Sequence, residues 1–502
     1  MGLSEFVTRA SPVFDAVSDT KQVRGMARAL TCWLHKWITM KIMKLIAICL
    51  FVTVAAMAQR FHVSYPASVF TGPFTGHVIL YLSATCREPK DTLYNPVYGR
   101  IVKRIKPGEP VVFDDRATAH PAPLSRLERG SYYVQAVWDR DLGGRNIGTT
   151  PGNLYSKTVQ VAFTEDSAQV TTLVCDQVVP QPVFVNSTYV RELKAPSALL
   201  TKFWHRPMTV DGVVILPKEY VGGVTRRFPV VLMIGGYGSD YHHYSKVNGD
   251  TSASFPMDTT ACIKVYLDGN CRLGHCVYAN SDNMGPWADA LTKEFIPLLE
   301  KTYRCNGAIL AKGHSSGGWA CLWLQIHYPD LLAGVNASAP DPVDFRSCVG
   351  VNKYAQQPTT NYQYDYEEVI YRGEQGISFD AVYGPRDKNG SVRRLYDYTT
   401  GKMRPDVLEH WKQYDISLYL RKNWVALKDH LRDKIRISVG NEDTYLLNQP
   451  VHLLEEEMKK IHATITFAYY PGDHWTVTTP AYRHDQDLWL EEKYLEWQQH
   501  GK

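Results

Sequence analysis

The stretch that decides the fold is AILAKGHSSGGWACLWLQIHY, residues 308–328. Residues 308–311 form a short apolar run suited to a buried strand, and 319–328 form a helical run rich in bulky apolar side chains. Between them Gly313-His314-Ser315-Ser316-Gly317 fits G-x-S-x-G, with Gly318 next. Strand, tight turn and helix together are the setting in which such a serine stands at the end of a sheet as a nucleophile. The glycines have a physical task there. The turn is strained and the neighbouring backbones are close, so a Cβ at Gly313 or Gly317 would clash. The plainer alternative for Ser315 is an ordinary helix-capping serine.

A serine nucleophile needs a base, and the base needs a third group to orient it. With this elbow, the acid and the histidine follow the serine in that order, each in a loop after a strand. Residues 435–439 read as a strand leading into Gly440-Asn441-Glu442-Asp443. Residues 464–469 read as the next, leading into Pro471-Gly472-Asp473-His474-Trp475. Asp443 is therefore expected as the acid and His474 as the base. Glu442 competes with Asp443, as does Asp341, which follows the strand-like 334–337. His452 and His462 lie in or beside an amphipathic helix, and His484 falls in the last helical region. The tetrahedral oxyanion also needs N–H donors. The amide of Ser316 is expected as one, and that of Tyr237, in the turn Gly235-Gly236-Tyr237-Gly238 after the strand-like 229–234, as the other. That turn has neither GxxxxGK[ST] nor GxGxxG, so it is not read as a phosphate loop. The adjacent His242 and His243 cannot easily share a ligand direction, and no spaced Cys/His set occurs, so no metal and no cofactor are expected.

Around these motifs, strand-like runs at 210–216, 229–234, 263–267, 308–311, 435–439 and 464–469 alternate with helical segments. That pattern predicts an α/β fold, a mostly parallel sheet covered on both faces, over residues 198–502. One helix puts Val451, Leu454, Met458 and Ile461 on a single face. Another starts at Trp287, turns Leu291, Phe295 and Leu298 inward, and should bend at Pro297. From 345 to 434 the alternation breaks, and eight tyrosines between Tyr354 and Tyr398 mark an insertion. It is expected to wall the substrate cleft through Tyr362, Tyr364 and Tyr366, with Trp287, Trp319 and Trp475 as substrate contacts. The alternative is a peripheral loop whose tyrosines pack on one another. Residues 59–183 alternate with period two, as at Tyr132, Val134, Ala136 and Trp138, and read as a β-sandwich domain. The Pro-bearing stretch 178–185 reads as its exit, and 184–197 as the linker.

Residues 40–59, MKIMKLIAICLFVTVAAMAQ, have the form of an export signal. Lys41 and Lys44 precede an apolar run over 45–56 broken only by Thr53, and Ala56-Met57-Ala58 is a small-residue cleavage site. The run is short of the ~20 apolar residues that span a bilayer. Residues 1–58 are therefore set aside as leader and signal, giving a secreted or periplasmic protein with no membrane span after cleavage. The chain of 502 residues carries 55 Lys/Arg and 51 Asp/Glu, and the excess lies in that leader. A neutral body lacks the basic surface that nucleic-acid binding requires. Eight cysteines remain beyond the leader, with Cys271 and Cys276 the best local pair and Cys321 read as a buried thiol.

With these residues placed, the chain from about 198 to its end resembles the esterase D-like family of α/β hydrolases, which includes enterochelin-esterase-like proteins and acetyl and feruloyl esterases. The resemblance rests on PVVLMIGGYG (229–238), YANSDNMGPWADALTKEFIPLLE (278–300), GHSSGGWACLWLQIHYPDLLAGV (313–335) with SAPDPVDF (338–345), and YYPGDHW (469–475). It implies nucleophile, acid and histidine at Ser315, Asp443 and His474. Gly235 stands where many members have His before the glycines, so the family's oxyanion-loop conformation is not carried over, and neither the insertion nor the N-terminal domain is general, so no substrate is implied. The expected function is that of an exported serine esterase on a small-molecule or glycan ester, such as an acylated carbohydrate or siderophore-like ester. An acyltransferase or a serine peptidase of the same fold is the alternative, and a non-catalytic glycan-binding protein is more remote.

Overall fold

The computed structural model describes residues 59–500 apart from 93–94, 165–168, 224, 246–256, 258, 359–362, 371–373 and 398. The leader and export signal expected over residues 1–58 lie outside the described residues. Eight strands form the central sheet: β1 (Val190–Pro196), β2 (Thr209–Ile215), β3 (Phe228–Ile234), β4 (Ile263–Leu267), β5 (Cys305–His314), β6 (Gly334–Ser338), β7 (Ile435–Gly440) and β8 (Ile465–Tyr470). Their lateral order is β1-β2-β4-β3-β5-β6-β7-β8. β2 runs antiparallel to both neighbours, and every pairing from β4 to β8 is parallel, so the sheet is mixed and mostly parallel. The central strands are covered on both faces and so read as unbroken apolar runs. Every residue of β3 except Met233 is buried.

The stretch 184–197, expected as a linker, instead supplies β1. Val190, Leu193 and Ala195 are buried, and the strand pairs with β2 from Val190 opposite Ile215 to Pro196 opposite Thr209. The helical run that starts at Trp287 passes through a π turn, Leu291–Phe295, just before Pro297. Proline has no N–H to close onto the carbonyl four residues back, and the expected bend takes this form. Helix α1 (Ser316–His327) is buried along its length up to Ile326, as a helix apolar all round must be.

Residues before β1 form a three-stranded and a seven-stranded sheet. Phe61, Val63 and Phe113 of the smaller share one apolar cluster with Val78, Leu80 and Trp138 of the larger. Alternate residues of the same strands point the other way. There Ile79, Tyr81, Val97 and Val137 form a second cluster with Tyr366, Val369 and Ile370 of helix α2 (Gln363–Ile370), which belongs to the insertion. The approach is close: a Cβ on Gly99 would lie 2.6 Å from the Val369 carbonyl oxygen. Tyr366, expected on the cleft wall, is therefore buried against the N-terminal region, edge-on to His120 at 5.5 Å. Tyr362 and the side chain of Tyr364 lie outside the described residues.

All eight cysteines after residue 58 are free thiols, and seven are buried. Cys271 is not paired with Cys276; its Sγ donates to the Gly274 carbonyl at 3.6 Å. Among the described residues no helix is long and apolar enough to cross a membrane.

Because Tyr366 joins the N-terminal region to the insertion, Tyr366→Ala should cost about 3 kcal/mol of stability, the order for emptying a buried aromatic site. Urea denaturation would measure it. A loss below about 1 kcal/mol would mean the two surfaces are only weakly packed.

Candidate active site

β5 ends at His314 and α1 starts at Ser316. Ser315, between them, has φ 58° and ψ −124°, a conformation that costs an L-residue about 1–3 kcal/mol. Three backbone bonds hold it: Ser315 N–H donates to the Ser338 carbonyl at 2.9 Å, and the Ser315 carbonyl accepts from Asp341 N–H at 3.2 Å and from Trp319 N–H at 3.1 Å. The glycines admit the surrounding backbone. A Cβ on Gly313 would lie 2.3 Å from the Gly317 oxygen, and one on Gly317 would lie 2.0 Å from the Ile234 oxygen.

His474 and Asp443 are both buried, with His474 Nδ1 2.7 Å from Asp443 Oδ2. The other carboxylate oxygen accepts from the amides of Tyr445, at 2.9 Å, and Leu447, at 3.2 Å, so the acid cannot rotate away. With Nδ1 donating to the carboxylate, Nε2 is left to act as a base. Three rings pack on the imidazole: His314 at 4.5 Å, Tyr445 at 4.9 Å and Trp475 at 5.0 Å. Burial, aided by the neighbouring His474, pulls His314 down to about 4, so this second imidazole is neutral at neutral pH. Its Nδ1 lies 2.7 Å from Ser338 Oγ.

Ser315 and His474 line one cleft of about 580 Å³, together with Tyr237, Asp341, Trp475 and the insertion residues Val349, Gln357 and Phe379. Trp475 is 63% exposed and reaches the cleft. The other two tryptophans expected as substrate contacts do not. Trp319 is 0% exposed and stacks on Trp323 at 4.9 Å, because its position on α1 turns it into the core. Trp287 is 6% exposed and donates through Nε1 to the Met284 carbonyl at 3.0 Å. His462 and His484 are exposed, and His452 stacks on Tyr469 at 4.3 Å; none lines the cleft. No group of three or more metal-ligating side chains occurs among the described residues, and His242 bonds Asp240 instead.

Asp341, weighed as an acid for the histidine, stands on the serine side. It accepts from Ser316 Oγ at 2.6 Å and from Ser315 Oγ at 3.3 Å. Burial lifts its carboxyl to about 6 against the pull of those hydroxyls and of His474. Sequence reasoning placed Asp341 after the right strand without revealing this contact. The loop of Tyr237 lies against the elbow, since a Cβ on Gly236 would meet the His314 oxygen at 3.1 Å. Arg145, which carried no signal in the sequence, donates through Nη1 to Tyr237 Oη at 3.3 Å.

The family described as "Putative esterase" matches residues 204–489. No curated protein matches the chain in sequence. Similar solved structures include a ferulic acid esterase, 15% identical over 61% of this chain and 98% of its own, with TM-score 0.39. A fluorophosphonate-binding serine hydrolase of Staphylococcus aureus is 15% identical over 60% and 98%, with TM-score 0.39. An S-formylglutathione hydrolase from Agrobacterium tumefaciens is 14% identical over 61% and 93%, with TM-score 0.36.

Asp341 yields a pH-dependent prediction. A buried carboxyl raised to about 6 binds its proton more tightly folded than unfolded, so its contribution to stability is fully present below about pH 4 and lost as pH rises through 6. Asp341→Asn keeps the shape and removes that titration. Relative to wild type, the variant should therefore gain stability between pH 4 and pH 7.5, by up to about 3 kcal/mol. Urea denaturation at both pH values measures the change; a difference that is flat with pH would contradict it.

Proposed function

Because the chain belongs to the "Putative esterase" family and is a serine carboxylic ester hydrolase, we propose that it works through a Ser315–His474–Asp443 triad. The observation that carries this reading is the buried His474–Asp443 pair at 2.7 Å, in the same cleft as a serine on a strained strand-to-helix turn. His474 Nε2 takes the hydroxyl proton as Ser315 Oγ bonds to the ester carbonyl carbon. The carbonyl oxygen becomes an oxyanion held by the amides of Ser316 and Tyr237. Collapse breaks the bond to the alcohol oxygen, and His474 gives that oxygen the proton. Water then attacks the acyl-enzyme with His474 again as base, releasing the acid and restoring Ser315. Asp443 holds the imidazole in the tautomer this sequence needs and stabilises its cationic form.

The cleft is of a size that holds a small-molecule ester. Trp475 offers a flat apolar face beside His474 as a substrate contact. An acylated carbohydrate or siderophore-like ester, met after export through the signal at 40–58, is the substrate class in keeping with these features, and residues 59–183 are read as a β-sandwich domain. An alcohol in place of water would turn the same intermediate toward acyl transfer.

Ser315→Ala should lower kcat on p-nitrophenyl acetate by a factor on the order of 10⁶. Asp443→Asn should cost about 10⁴ by inverting the tautomer of His474, and Asp341→Asn far less. Stopped assays on purified variants read all three, and a reversed order for the two aspartates would place the acid on the serine side. Trp475→Ala should lower kcat/KM by about tenfold for an ester with a bulky group, one lost apolar contact of 1–3 kcal/mol, and change it little for p-nitrophenyl acetate. Equal effects on the two esters would exclude Trp475 as a substrate contact.

A further inference from the structure

An oxyanion hole works only if its donors are fixed before charge develops. The loop that carries Tyr237 is Gly235-Gly236-Tyr237-Gly238, in which a single residue has a side chain by which to be held. One end of the loop is pinned through its backbone: Gly235 N–H donates to the Leu267 carbonyl at 2.8 Å, and His275 Nε2 donates to the Gly235 carbonyl at 3.0 Å. At the other end Gly238 has φ 86°. The hold on Tyr237 itself includes a group from outside the hydrolase sheet. The Arg145 guanidinium lies over the Tyr237 ring, 4.8 Å from its centroid, and donates to its hydroxyl at 3.3 Å.

Arg145 is no loose surface side chain. The loop that carries it is tied at its base, where Asp141 pairs with the Arg272 guanidinium, Nη2 to Oδ2 at 2.6 Å, and the Asp141 carbonyl accepts from Arg206 Nη1 at 3.0 Å. Its positive charge also faces Glu374 of the insertion, a buried carboxyl, 3% exposed, that burial lifts to about 7 while Arg145 draws it down. One guanidinium thus stands between the N-terminal region, the loop of Tyr237 and the insertion.

We propose that Arg145 is a positioning residue for ester hydrolysis, clamping the Tyr237 ring so that the Tyr237 amide is set for the oxyanion, and that the N-terminal β region is thereby a working part of the active site. The proposal rests on the reading of Tyr237 as an oxyanion donor. A planar guanidinium can cover the ring and donate to the hydroxyl at once, which an ammonium cannot do as well. Arg145 touches the oxyanion loop through Tyr237, so its loss should appear where charge develops and leave ground-state binding in place.

The test uses the full chain with Arg145→Met and Arg145→Lys, assayed on p-nitrophenyl acetate, with active sites counted by fluorophosphonate labelling of Ser315. Per labelled site, Arg145→Met should lower kcat by about 10- to 100-fold, less than deleting a donor outright, with KM within about twofold of wild type. Inhibition by phenylboronic acid, whose serine adduct is tetrahedral, should weaken in proportion to kcat. Arg145→Lys should fall between Met and wild type. Tyr237→Leu should add little in the Arg145→Met background, since both remove one clamp. Counting per labelled site keeps partial misfolding from imitating the loss. Wild-type protein that labels at Ser315, beside Arg145→Met with unchanged kcat or with a raised KM alone, overturns this proposal and spares the triad. Wild-type protein that hydrolyses the ester without labelling at Ser315 overturns the triad reading and the proposal with it.

Discussion

A serine held at φ 58° and ψ −124° needs a surrounding structure that over-determines it, and the centre of this fold is built to that end. Ser315 sits where β5 turns into α1, with β3 and β6 on either side. Those neighbours press on the turn with their backbone. The Ile234 carbonyl at the end of β3 occupies the space a Cβ on Gly317 would need, and the Ser338 carbonyl at the end of β6 takes the Ser315 amide.

The same sheet brings together an acid and a base 31 residues apart. β7 and β8 are parallel neighbours, paired up to Gly440 opposite Tyr470, so the loops that follow them leave the same edge side by side. Asp443 and His474 meet for that reason. The insertion departs after β6 and returns at β7, which sets it on the same edge, and residues such as Val349, Gln357 and Phe379 line the cleft. Its helix α2 is fastened to the far face of the N-terminal sheet by Tyr366, Val369 and Ile370. The N-terminal region thus braces one wall of the cleft, and through Arg145 it touches the loop on another side.

The features legible in the sequence are those written in local pattern. The parallel strands announce themselves as apolar runs because both faces are covered, and the glycines around Ser315 mark backbone contacts that admit no side chain. β1 went unread because Pro180 and Pro182 obscure the approach to it and because it is an edge strand with exposed residues between its buried ones. Trp319 could not be assigned a face, because a helix apolar all round has no polar side by which to orient it, whereas Trp287 stands four residues before Leu291 on the inward face of its own helix and its burial was legible there. The contacts of Asp341 and of Arg145 depend on tertiary closure, in the second case between residues 92 apart, and no spacing encodes them.

In this reading acyl transfer passes through Ser315. Rapid acid quench of the wild-type protein with p-nitrophenyl acetate, followed by peptide mass analysis, tests it most directly. The peptide carrying Ser315 should gain the mass of one acetyl group. Turnover of the ester with no adduct there, or with the adduct on another side chain, would contradict it.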